Sequence, residues 1–162
     1  MKKNIYKKGF TLIELLVVIA IFALIANVTM VALGKARRES RDTARVSDIN
    51  QLRSALHLYS LEHNGYPDDD SGNPRALGIG SNLILNINGW ATDTATPIYM
   101  YDVPRDPSMI NKSASACVIA SNDICDYGYS LNGNDFAIYF YLEGGAGNLS
   151  AGLHRATKDT VL

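Results

Sequence analysis

Residues Phe10 to Leu33 form an apolar run of 24 residues in which Glu14 is the only charged side chain. The run contains no glycine or proline, and Thr11, Asn27 and Thr29 are its other polar positions. As a helix it would be roughly 36 Å long, enough to cross the ~30 Å hydrocarbon core of a bilayer. A carboxylate at that depth costs about 2.5–3.5 kcal/mol on insertion scales, so an acid kept there is a functional candidate by default.

Lys2, Lys3, Lys7 and Lys8 precede the run, and Gly9 separates them from it. A basic leader favours a cytoplasmic N-terminus with the rest of the chain outside. Lys35, Arg37 and Arg38 on the far side pull the other way. The leader prevails, because the first segment usually sets orientation. An ordinary secretory signal would cleave near Ala23–Ala26, but its apolar region is about 7–15 residues, and this run is well beyond that.

Removing residues 1–9 leaves 11 basic against 16 acidic residues, a net charge of −5. That balance argues against a general nucleic-acid grip, which needs a basic footprint. The two cysteines, Cys117 and Cys125, both fall on the outer side. An even count outside the cytoplasm favours a disulfide over a metal site.

Apolar residues continue past the run at Val46, Ile49, Leu52, Leu56 and Tyr59, the spacing of an amphipathic helix, with Arg41, Asp42, Arg45, Asp48 and Arg53 between them. Gly65 is placed as a helix C′ residue and Pro67 follows, so the helix should stop near His63 or Asn64. From Phe10 to His63 it would be roughly 80 Å long.

Residues 66–97 read as loop, punctuated by glycine and proline; Asn82–Ile87 reads equally as a helical turn or an edge strand. Pro104–Pro107 is a rigid turn. Tyr127–Leu131 and Phe136–Leu142 read as strands joined by an Asn132-Gly133-Asn134 hairpin, with a further edge strand in the tail. The expected fold is α+β: a long N-terminal helix, half membrane and half amphipathic, packed on a small antiparallel sheet. The expected segments are a leader (1–9), a transmembrane and assembly helix (10–33), its amphipathic continuation (34–64) and an extracytoplasmic part (65–162).

The decamer Lys7-Lys-Gly-Phe-Thr-Leu-Ile-Glu-Leu-Leu16 resembles the class III signal of type IV prepilins and type II secretion pseudopilins. Asp48–Pro67 and the pairing of Val103-Pro-Arg-Asp-Pro107 with a later Tyr-Gly-Tyr strand are similar to that group as well. The resemblance implies cleavage between Gly9 and Phe10 by a prepilin peptidase and N-methylation of Phe10. It implies that Glu14 meets the Phe10 amine of a neighbouring subunit. The product would be a structural subunit in the inner membrane, drawn into an extracellular pilus or a periplasmic pseudopilus with other pilins and the assembly machinery. Adhesion, motility, DNA uptake and protein secretion are the roles such fibres serve. The alternative is a single-pass anchored binding domain that never polymerises.

No enzyme and no cofactor is called for. His57, His63 and His154 are scattered without ligand spacing. The Asp68–Gly72 run lacks the EF-hand register, with Ile79 where the bidentate acid belongs. Asp123, Asp126 and Asp135 around the hairpin are calcium candidates, set against ordinary turn chemistry, which is preferred. Gly144–Gly147 lacks the Lys-Ser/Thr ending of a phosphate loop.

Overall fold

The computed structural model describes residues 9–68 and 73–161; the leader lysines and residues 69–72 of the acidic run lie outside the described residues. The chain divides into two compact units, Met1–Arg37 and Arg38–Leu162.

Helix α1 (Leu12–His63) begins at a capping box. The Thr11 N–H and hydroxyl donate to the Glu14 carboxylate at 2.9 and 2.8 Å, and the Glu14 N–H returns to the Thr11 hydroxyl at 3.3 Å. At the other end Asn64, not Gly65, is the left-handed C′ residue, with φ of 54° and its N–H on the Ser60 carbonyl at 3.0 Å. Asparagine tolerates this conformation better than other side-chain-bearing residues.

Seven short strands follow: β1 (Arg75–Ala76), β2 (Ile84–Asn86), β3 (Gly89–Ala91), β4 (Ile98–Met100), β5 (Gly128–Asn132), β6 (Asp135–Leu142) and β7 (Gly152–Ala156). They form two antiparallel sheets, one ordered β1-β5-β6-β7 and one ordered β3-β2-β4. The expected hairpin is β5–β6, in register from Gly128↔Tyr139 to Asn132↔Asp135, and β7 is the tail strand at the edge beside β6.

Residues 66–97 are not simply loop: they contribute β1, β2 and β3, and Leu77, Leu85 and Trp90 are core residues. The Asn82–Ile87 ambiguity resolves as a strand at the centre of the small sheet rather than its edge. Strands of two or three residues are too short to display a period, which is why the sequence concealed them.

One buried cluster joins Ile49, Leu52, Leu56 and Tyr59 of α1 with Tyr129 of β5 and Phe136, Ile138, Phe140 and Leu142 of β6. The alternate β6 residues, Ala137 and Tyr139, pack with Cys117 and Cys125 on the other face. The two cysteines form a disulfide with a Cα–Cα distance of 5.1 Å. Gly128 lies beneath it: a Cβ there would be 2.0 Å from the Cys117 carbonyl oxygen, so the backbone approach itself demands glycine.

Candidate functional site

The apolar run and its lone acid lie in the first unit. Gly9 and Phe10 precede the first turn of α1, and Phe10 is 80% exposed. The most apolar 18-residue window of α1 has a mean hydropathy of 2.7, and none of it is buried inside the chain. An apolar surface that large is held by lipid or by other protein. Among the described residues α1 is the one helix long and apolar enough to cross a membrane. Glu14 is committed to its own helix start through Thr11, a local role that the Thr-x-x-Glu spacing carries.

The second unit contains a buried ion network that the sequence reading missed. Arg45 and Asp42 are fully buried. Arg45 Nε and Nη2 donate to Asp106 at 2.7 and 3.0 Å, Nη1 to Asp42 at 2.6 Å, and Nη2 also to Ser108 at 2.7 Å and Glu143 at 2.9 Å. Arg41 pairs with the same Glu143. Burial alone would lower the Arg45 pKa, but the hydrogen bonds and charge of Asp106, with Glu143 and Asp42, raise it overall. The Glu143 carboxyl is held down to about 2, first by the Arg41 hydrogen bond and then, against desolvation, by Arg45 and Ser108.

Asp42 accepts the N–H groups of Glu143, Gly144 and Gly145 at 2.9, 2.7 and 3.0 Å. The glycine-rich run thus wraps a carboxylate of the chain's own helix, an anion nest already occupied. The missed signal was periodic: positions 42, 45, 49, 52, 56 and 59 form one helical stripe, and its first two members carry opposite charges.

The Pro104–Pro107 turn supplies two separate clamps. Asp106 holds Arg45; Arg105 donates to Asp126 at 2.7 Å and to the carbonyls of Ile110 and Lys112 at 3.0 and 2.8 Å. On α1, Asp48 accepts the buried Tyr127 hydroxyl at 2.8 Å.

Of the calcium candidates, Asp126 is taken by Arg105 and by the Ser115 N–H at 3.0 Å. Asp123 accepts the Ile124 N–H and Asp135 the Phe136 N–H, at 2.7 and 2.8 Å. Among the described residues no group of three or more His, Cys, Asp or Glu side chains could hold a metal ion. His57 is exposed, His63 stacks on Tyr59 with ring centroids 4.0 Å apart, and His154 is buried on β7 with Nε2 on the Ser150 carbonyl at 2.8 Å.

A basic N-terminal sequence, Gly9, an apolar helix with one acid and an α+β second unit are the combination that the resemblance to prepilins led one to expect. Residues 5–26 match the prokaryotic N-terminal methylation motif. The chain is 42% identical over 67 residues to type II secretion system core protein G of Pectobacterium carotovorum, covering 41% of this chain and 42% of that protein. It is 39% identical over 64 residues to the type IV wide pilus major component PilA4 of Thermus thermophilus, covering 40% and 49%. With core protein G of Vibrio cholerae the identity is 35% over 72 residues, covering 44% and 49%. The chain thus spans about half the length of the curated relatives it matches, and no solved structure matches it. The chain carries a prepilin methylation motif, is similar over about 40% of its length to type IV pilus and type II secretion subunits, and has an α+β pilin-like fold.

Proposed function

We propose that the chain is a structural subunit, cut between Gly9 and Phe10 by a prepilin peptidase, methylated on Phe10, and polymerised into a type IV pilus or secretion pseudopilus. The observation that carries this reading is Glu14, a lone acid in an otherwise uncharged and exposed apolar run that directly follows Gly9. Cleavage creates an α-amino group close to that carboxylate. A well-made pair between subunits offsets the cost of burying both charges. The subunit starts as a single-pass protein of the inner membrane with its leader in the cytoplasm. Its partners are other copies, other pilins and the assembly machinery. It performs no catalysis of its own.

The experiment is N-terminal mass analysis together with Glu14→Val and Glu14→Gln in the full chain. The expected mature N-terminus is methylated Phe10. Both variants should be cleaved and should reach the membrane, and both should fail to form fibres or to support secretion.

A second reading, a non-polymerising anchored domain, draws on one observation: Glu14 already has partners at Thr11 and needs no second copy to satisfy it. An intact leader on the membrane form, with indifference to Glu14→Gln, would favour that reading.

A further inference from the structure

Helix α1 leaves its apolar run through a basic stretch. Leu33 ends the run, and Lys35, Arg37 and Arg38 follow within five residues. Residues 35–40 are exposed, and burial resumes at Arg41 and Asp42. Those exposed residues extend about 9 Å along the helix axis, against a headgroup layer of roughly 5–7 Å on each side of the hydrocarbon core. In a chain whose apolar run spans a bilayer, Arg37 and Arg38 therefore stand at headgroup depth.

Positive charge is concentrated there. After Gly9, four of the 11 basic residues lie at positions 35–41, with Glu39 the only acid among them. The remaining positions carry seven basic against 15 acidic residues. Several other arginines are taken up by the fold: Arg41 and Arg45 enter the ion network, Arg53 donates to the Thr157 and Lys158 carbonyls, and Arg105 holds Asp126. Arg37 and Arg38 make no hydrogen bond or ion pair among the described residues. Glu39 stands one turn beyond Lys35, the i,i+4 position, and is offset from both arginines. At about 100° per residue, Lys35, Arg38 and Arg37 spread over roughly 160° of the helix surface. That is wider than a single acidic side chain covers, and it suits a layer of headgroups.

We propose that Arg37 and Arg38 bind the phosphate groups of anionic phospholipids and hold the unassembled subunit at a fixed depth in the membrane. Long basic side chains lay their aliphatic stems along apolar surface while the charge reaches the headgroups. Removal of residues 1–9 takes Lys2, Lys3, Lys7 and Lys8 from the other end of the run. In a processed subunit this stretch therefore carries the basic side chains beside the membrane. The inference rests on the membrane-spanning reading of the run and does not depend on polymer formation.

The test places a photo-crosslinking residue at exposed position 36 of the full chain, reconstituted in vesicles of phosphatidylcholine with one part in about three of phosphatidylglycerol. Mass analysis of the lipid adducts should find phosphatidylglycerol enriched several-fold over its share of the vesicle. Arg37→Gln and Arg38→Gln should each lower that enrichment by up to about fivefold, the ratio for about 1 kcal/mol per basic side chain at a charged surface. Both changes together should return the adducts to the lipid ratio supplied, with thermal melting as in the parent. Lysine at both positions should retain enrichment, and 1 M salt, with a Debye length of about 3 Å, should reduce it. Adducts at the supplied ratio from the parent chain, or enrichment that survives the double glutamine change, would overturn the proposal. Adducts with a second copy of the chain in place of lipid would assign the stretch to subunit contact and reject lipid binding. A parent chain washed from the vesicles at alkaline pH would instead remove the membrane-spanning reading, and this inference with it.

Discussion

Arg45 and Asp106 lie 61 residues apart in the chain, yet they form a bidentate ion pair with both side chains fully buried. The pair is closed by Asp42 on the same helix and Glu143 at the end of β6. Three separate stretches of the second unit therefore meet on one guanidinium group. Replacing a whole buried network with apolar side chains can be neutral, but removing one partner strands the others. Arg45→Leu leaves two buried carboxylates without their cation. The expected loss is about 3–5 kcal/mol, read as a lower urea midpoint for the full chain in detergent.

Acid should weaken the same network in a defined window. The folded Glu143 carboxyl titrates at about 2, below its reference value of 4.5. A lowered acid stabilises the fold above the unfolded value and loses that contribution as pH falls from there through the folded value. Stability owed to Glu143 should be constant above about pH 5 and fall between 4.5 and 2, by at most about 1.4 kcal/mol per pH unit. Asp48 acts in the opposite sense, because desolvation raises its carboxyl despite the Tyr127 hydrogen bond. The comparison is therefore between the parent chain and Glu143→Gln, whose pH–stability curve should be flatter over that window.

Gly128 is the residue on which the disulfide face rests. An added Cβ would meet the Cys117 carbonyl at 2.0 Å, a backbone atom that cannot swing aside. Gly128→Ala should cost about 1–3 kcal/mol or more, the scale of overpacking. Denaturation measures that loss, and partial thiol alkylation without reductant would report an opened loop.

The Cys117–Cys125 bond closes a short loop, with a sequence separation of 8. In the chain-entropy model such a loop contributes about 2.6 kcal/mol. Alkylation of unreduced protein from the native envelope should label neither thiol, and Cys117→Ser with Cys125→Ser should melt lower by about that amount. Labelling of both thiols in unreduced protein would contradict the bond.

Glu14 and Thr11 allow capping and docking to be separated. The apolar core of the second unit begins at Ile49, so Glu14→Val should leave its melting unchanged. Thr11→Val removes a cap worth about 0.5–2 kcal/mol locally and keeps the charge. If docking is the function of Glu14, Thr11→Val should still assemble where Glu14→Gln does not; equal loss from both would identify the cap as the function.

The periodic and compositional features were legible in the chain. The apolar run, its lone acid and the leader are local facts of side-chain chemistry. The amphipathic stripe through Ile49, Leu52, Leu56 and Tyr59, the Asn-Gly hairpin and the alternation of β6 each repeat often enough to reveal their element. Two cysteines, both expected on the outer side, left one pairing to form, and the structure contains it. Tertiary structure decided the rest. Strands β1 to β4 are two or three residues long, so their partners define them rather than their own pattern. In the sequence Arg45 and Asp42 are only charged positions between the apolar ones of the stripe, and a charged side chain is normally left in water. They are buried because Asp106 and Glu143 arrive from 61 and 98 residues away to replace that water. Burial of a charge depends on its partners, and partners distant in sequence are fixed only when the chain folds.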